Sequence, residues 1–130
     1  MENKKLELMT QDLSAGYDGK TIVSDVSITI PKNKISVILG ATGCGKSTLL
    51  RCLNQLETAT AGQIMIDGHD VTDKHTDINK VREDIGMVFQ HFNLFPHMSI
   101  LKNMTIAPMK LQKRGKDEAE GQAMKLLERV

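Results

Sequence analysis

The stretch Gly40-Ala41-Thr42-Gly43-Cys44-Gly45-Lys46-Ser47-Thr48 decides the fold and the chemistry of this chain. It fits G-x-x-x-x-G-K-[ST], a loop whose backbone N–H groups surround the phosphates of a nucleoside triphosphate. Its three glycines let the backbone turn tightly and approach the phosphates closely. Lys46 adds a mobile charge for the β- and γ-phosphates, and the Ser47 hydroxyl can ligate Mg²⁺. The stretch therefore predicts binding of a triphosphate with Mg²⁺.

The flanks of the loop fit the same interpretation. Residues 35–39 form a short apolar run, which predicts a buried strand. Residues 47–56 contain no helix breaker and carry leucines at helical spacing, which predicts a helix. Strand, loop and helix in this order are what the motif requires, whereas a glycine-rich turn with a chance lysine requires neither flank.

Composition limits the class of protein. A length of 130 residues favours one domain, and 40% hydrophobic residues are enough for a core. The net charge of +1 gives no indication of a nucleic-acid partner. No stretch resembles a signal peptide or a membrane-spanning helix, so we expect a protein that is soluble or peripheral to something else.

Two cysteines indicate a reducing compartment. Cys44 and Cys52 are separated by helix with a rise of roughly 12 Å, which is too far for a disulfide. Cys44 lies beside Lys46 and a helix N-terminus, so it is either a reactive thiol or a position that mainly contributes its backbone N–H.

Regular elements are predicted on both sides of the loop. Leu6, Leu8 and Thr10 alternate with polar residues and predict a first strand, and Asp18-Gly19 predicts a hairpin turn before the alternating run 22–30. Further along, we predict strands at 64–66, followed by the Asp67-Gly68 turn, and at 85–89. Helices are predicted after Ser99, disturbed or ended by Pro108, and over 117–130.

Two clusters of side chains leave alternatives open. Phe89, Phe92 and Phe95 lie within seven residues, and this aromatic loop is either a contact surface or an inward anchor of a long loop. The acidic and histidine residues between His69 and Asp77 match no metal-ligand spacing and predict a solvated loop.

With these motifs in place, the chain resembles the ATP-binding subunits of ABC transporters, in particular those of polar amino acid importers. The resemblance covers nearly the whole chain. Four stretches carry it, namely the adenine-stacking loop at 13–17, the phosphate loop and helix at 40–54, the hairpin at 62–68 and the Q-loop region at 86–98.

The resemblance implies roles for individual residues. Tyr17 would stack on the adenine of ATP, and Lys46 and Gln90 would act in catalysis. Ser47 and Gln90 would contact Mg²⁺, and residues 91–104 would face a transmembrane permease subunit. The residues implied in ATP binding are Tyr17, Gly40, Ala41, Thr42, Gly43, Cys44, Gly45, Lys46, Ser47 and Thr48.

The implied fold class is α/β, a P-loop NTPase core with an N-terminal antiparallel β subdomain and the start of a helical subdomain. Its expected parts are an antiparallel region (1–34), the P-loop strand and helix (35–57), a hairpin and Q-loop strand (58–90) and the start of the helical subdomain (91–130). The sequence contains no apolar run ending in Asp-Glu, no Leu-Ser-Gly-Gly-Gln signature and no switch histidine after them. We therefore expect the first half of a nucleotide-binding domain, with little or no turnover alone.

In the full-length protein, the resemblance implies a dimer on the cytoplasmic face of the cell membrane, hydrolysing ATP to drive import. An importer for a siderophore or phosphate is an alternative. A non-catalytic nucleotide-binding or interaction module that ends at Val130 is another. A kinase or GTPase would leave Tyr17 and residues 90–98 unexplained.

Overall fold

The computed structural model describes residues 7–130, and the chain divides into two compact units, Met1–Gly86 and Met87–Val130. Leu6, part of the predicted first strand, lies outside the described residues. The elements are β1 (Leu8–Tyr17), β2 (Lys20–Val26), β3 (Thr29–Ile30), α1 (Lys46–Leu53), β4 (Ala61–Ile66), β5 (His69–Asp70), α2 (Ile78–Glu83), α3 (Ile100–Lys110) and α4 (Lys116–Glu128).

An antiparallel sheet with the order β2-β1-β4-β5 organises the first unit, and β3 also pairs with β1. Both predicted Asp-Gly turns are confirmed. Asp18 and Gly19 have φ of 50° and 74°, and Asp67 and Gly68 have φ of 49° and 80°. Two consecutive residues at positive φ match the right-handed twist of the flanking strands, which is why Asp-Gly favours tight hairpins.

The core of the first unit lies between this sheet and α1, the predicted helix after the phosphate loop. The helix buries one face, which contains Leu49, Cys52 and Leu53. The residues that form the core with them are Leu13, Ala15, Val23, Ile64, Ile66 and Val71. The predicted α/β fold class, with its N-terminal antiparallel region, is confirmed.

The predicted strands at 35–39 and 85–89 are wrong, because neither stretch has strand structure. Ile35, Val37 and Leu39 are 95%, 74% and 89% exposed, and only Ile38 packs against the core. A strand that is buried on both faces needs neighbouring strands and a covering layer on each side. Within residues 7–130, no segment pairs with either stretch.

The second unit contains α3 and α4, which pack on each other. Ser99 caps α3 as predicted, because its Oγ accepts a hydrogen bond from the Lys102 N–H at 3.1 Å. Pro108 lies two residues before the end of α3, where its missing N–H disturbs only the last turn. In the part of the chain that the structure describes, no helix is long and apolar enough to cross a bilayer.

Gly62 gives a direct test of the pairing between β1 and β4. Its φ is +88°, and an added Cβ would lie 2.3 Å from the Asp12 carbonyl oxygen. We expect Gly62→Ala to lower the free energy of unfolding by about 2–4 kcal/mol, because both the conformation and the space exclude a side chain. The measurement is denaturant-induced unfolding.

Gly121→Ala is the matched control. Gly121 lies within α4, and no atom lies within 4 Å of its added Cβ. This change should raise stability by up to about 1 kcal/mol, because alanine favours a helix. Equal stability of the two variants would contradict the assigned β1–β4 register.

Candidate nucleotide-binding site

The phosphate loop turns into α1 without a side-chain cap. Gly45 is the N-cap residue at φ 102°, and Gly43 has φ 79°. The first helical hydrogen bond shown at this end is donated by the Leu49 N–H to the Gly45 carbonyl at 2.9 Å. The N–H groups before Leu49 therefore precede the helical ladder, and no side chain caps them. This end of α1 suits an anion.

Strand β2 fixes the position of Gly45. An added Cβ there would lie 3.0 Å from Val23 Cγ2 and 3.1 Å from Ile22 Cγ2. Glycine is thus required for its positive φ and for its close approach to the strand. The last glycine of the motif is where the loop rests on the sheet.

The Lys46 ammonium lies against the loop itself. Its Nζ donates to the carbonyls of Gly40 at 2.6 Å and Ala41 at 2.9 Å, and it lies 3.6 Å from Cys44 Sγ. The positive charge of Lys46 is therefore held beside the loop backbone that the motif predicts to bind phosphates. A charge on a flexible stem can exchange these carbonyls for phosphate oxygens.

Tyr17 lies beside the phosphate loop. The expectation of a loop at 13–17 is wrong, because this stretch is part of strand β1 and Tyr17 is its last residue. Only the end of the stretch meets the hairpin turn. The Tyr17 hydroxyl is 3.4 Å from Thr48 Oγ1, and the side chain is 38% exposed. A cavity of about 240 Å³ is lined by Tyr17, Ile22, Gly43, Gly45, Lys46, Ser47 and Thr48.

Gly40, Ala41, Thr42 and Cys44 are not among the residues that line this cavity. Gly40 and Ala41 contact Lys46 through their carbonyls, and Thr42 is exposed. Cys44 lines a second cavity of about 280 Å³. Gln90 belongs to the second unit, in an irregular segment, and its side chain is exposed. Its role at Mg²⁺ stays a prediction.

The aromatic loop presents its side chains to solvent. Phe92 is 95% exposed and Phe95 is 52% exposed. Asn103 of α3 holds the backbone that follows: its Oδ1 accepts from the Phe95 N–H at 2.7 Å, and its Nδ2 donates to the Ser99 carbonyl at 2.9 Å. An asparagine four residues after the Ser99 cap is the only sequence signal for this contact.

Short-range caps account for the acidic residues between His69 and Asp77. Asp73 accepts from the His75 N–H at 2.8 Å, and Asp77 caps α2 by accepting from the Asn79 N–H at 3.2 Å. Among residues 7–130, no group of three or more histidine, cysteine or acidic side chains could hold a metal ion. The aspartates here stabilise turns, as is common for this residue.

The α/β fold and the loop geometry define a phosphate-loop protein, and comparison with known proteins gives the family. The ABC transporter profile matches residues 23–130, and the chain belongs to that family.

Curated relatives confirm the resemblance to amino acid transporters. A glutamine transport ATP-binding protein of Geobacillus stearothermophilus is 50% identical over 114 residues, which cover 88% of this chain and 47% of the relative. A glutamate/aspartate import ATP-binding protein of Escherichia coli K12 is 46% identical over 120 residues, covering 92% and 50%. The chain thus spans about half the length of the curated relatives it matches.

A solved structure confirms the fold. A dimeric ATP-binding cassette in a post-hydrolysis state, bound to ADP and Pi, matches with a TM-score of 0.82 and 29% identity. The match covers 93% of this chain and 56% of that one. The fold is therefore that of an ABC ATPase.

The two thiols should react at different rates. Cys44 is exposed, whereas Cys52 is fully buried in the core. Burial raises the pKa of the Cys52 thiol, and the negative charge of Glu57 adds to this shift. We expect a maleimide reagent to modify Cys44 at once and Cys52 only on unfolding, because thiolate and access are both needed.

Mass spectrometry of peptides after timed labelling gives the measurement, and Cys52→Ala should leave the fast phase unchanged. Raised pH is the second variable. A thiol with a raised pKa binds its proton more tightly when folded, so stability should fall as pH rises through the thiol range, and Cys52→Ala should remove that part of the loss. Rapid labelling of Cys52 in the folded chain would contradict the buried position.

Proposed function

We propose that this chain binds Mg-ATP at the phosphate loop and Tyr17, and that it is the ATP-hydrolysing subunit of an importer for polar amino acids when part of a full-length protein. One observation carries the proposal: Tyr17 lines a single cavity together with Gly43, Gly45 and the run Lys46-Ser47-Thr48. The names of the curated relatives support the amino acid class of solute.

The proposed roles follow from the chemistry of each group. The backbone N–H groups of residues 40–48 would bind the phosphates, with Lys46 on the β- and γ-phosphates. Ser47 is exposed, and its hydroxyl would ligate Mg²⁺. Gln90 would contact Mg²⁺ or the attacking water, since an amide both donates and accepts. The Tyr17 ring would stack on adenine.

Turnover by the 130-residue chain should be very slow. Phosphoryl transfer depends on positioning and on charge stabilisation around the γ-phosphate. No apolar run ending in Asp-Glu and no Leu-Ser-Gly-Gly-Gln signature occurs in this sequence, so those charges and donors would come from elsewhere. The chain is then a nucleotide-binding part of the ATPase.

Partners are proposed on two grounds. The exposed Phe92 and Phe95 side chains suit residues 91–104 as the contact with a permease subunit, which would hold the protein at the cytoplasmic face of the membrane. The matching cassette is dimeric, which supports a dimer of the full-length protein.

Lys46→Ala separates binding from turnover. We expect the purified chain to bind Mg-ATP and the variant to bind it at least about tenfold more weakly, because a charge on the β- and γ-phosphates is lost. Neither protein should release phosphate. Calorimetric titration and a phosphate-release assay provide the measurements.

Lys74→Ala is the control, since Lys74 is an exposed lysine of the same unit, away from the loop in sequence. It should bind like the parent chain. Turnover that depends on Lys46 would show a catalytic group within this chain. It would overturn the proposal that the 130-residue chain binds Mg-ATP but lacks the groups needed for hydrolysis. Equal binding by the Lys46→Ala chain would refute the assigned phosphate site.

Tyr17 should serve the base and not the phosphates. Tyr17→Leu is expected to weaken Mg-ATP binding by about five- to a hundredfold, because base–aromatic stacking contributes roughly 1–3 kcal/mol. Tyr17→Phe keeps the ring and should retain most of the affinity. Binding of inorganic triphosphate should be the same in all three proteins, and a parallel loss of triphosphate affinity in Tyr17→Leu would rule out stacking as the cause.

A further inference from the structure

The C-terminal end of α1 adopts a conformation that normally favours glycine. The Leu56 N–H donates to the Arg51 carbonyl at 2.9 Å, and the Gln55 N–H donates to the Cys52 carbonyl at 3.0 Å. These two bonds form a Schellman motif, whose residue after the C-cap is left-handed. Here that residue is Gln55, at φ 61°. A residue with a side chain is disfavoured at this φ, so a contact that fixes the backbone here stabilises the conformation.

Arg82 of α2 provides such a contact. Its Nε donates to the Asn54 carbonyl at 3.0 Å, and its Nη2 donates to the Gln55 carbonyl at 3.0 Å. Its Nη1 also lies 3.5 Å from Asn79 Oδ1. Arg82 is half-buried, so the fork of donors is held in a fixed place. A positive charge at this end also stabilises the helix dipole.

The same helix carries the phosphate loop at its other end. α1 has eight residues and begins at Lys46, so its two ends are joined by about 12 Å of rigid helix. We infer that Arg82 is a positioning residue for the phosphate loop, because it fixes the far end of the helix whose N-terminus meets the phosphates. This inference rests on the proposed nucleotide binding at the loop.

The test uses the 130-residue chain with Mg-ATP and with inorganic triphosphate plus Mg²⁺ as probes. Arg82→Ala is expected to weaken both by the same factor, about three- to tenfold, because the loop and not the base site is displaced. Titration well below the unfolding temperature separates this from lost folding, because almost every chain is then folded and the apparent Kd equals that of the folded chain.

Gln55→Gly supplies the decisive second variant. Glycine adopts the left-handed conformation without support, so adding Gln55→Gly to Arg82→Ala should return both affinities to within about twofold of Gln55→Gly alone. Lys80→Ala is the control, because Lys80 is an exposed cation on the same short helix. It should bind both probes like the parent chain.

Each outcome decides the inference. Unchanged affinities in Arg82→Ala, or a loss that Gln55→Gly does not reduce, would overturn it. If Arg82→Ala does not fold, the double variant should still fold and bind within about twofold of Gln55→Gly, and its failure to do so overturns the inference as well. A parent chain that binds neither probe would refute the proposed function itself, which separates the two failures.

Discussion

The burial of α1 against the antiparallel sheet is the constraint on which the phosphate loop depends. Leu49 and Leu53 are buried in the core, and each such side chain contributes roughly 1.5–3 kcal/mol of burial free energy. Few hydrogen bonds are made within the loop, chiefly those from the Lys46 ammonium to the Gly40 and Ala41 carbonyls, so the loop needs further contacts to hold its turns. Its shape therefore comes from the helix that follows and from the strand that Gly45 touches.

Local patterns predicted the parts of the fold that are decided locally. The Asp18-Gly19 turn needs two residues that tolerate positive φ, and the Ser99 cap needs a hydroxyl before a helix. Both features can therefore be predicted from the sequence. The strand at 35–39 was predicted wrongly for the converse reason. An apolar β-rich run indicates a preference for burial, but a strand exists only with a paired neighbour, and the run does not say where that neighbour lies.

Some residues at and around the candidate site could be predicted from the sequence, and others could not. The glycines and Lys46 follow a spacing that the chemistry of phosphates requires, and the structure places Tyr17 beside them as one element of a hairpin. Arg82 and Asn103 carry no comparable pattern. Their partners are backbone carbonyls and an N–H made available by turns, so only the folded backbone reveals them. A positive φ at Gln55, which favours glycine, is equally invisible in sequence.

The contacts that hold the phosphate loop do not depend on a strand at residues 35–39. Three contacts hold the loop: the Gly45 approach to β2, the buried face of α1 and the bonds from the Lys46 ammonium to Gly40 and Ala41. None of them uses the stretch 35–39 as a paired strand, since its side chains are largely exposed. Donors for a triphosphate can thus be arranged by the antiparallel half of the fold, whereas charge stabilisation of transfer requires groups on all sides of the γ-phosphate.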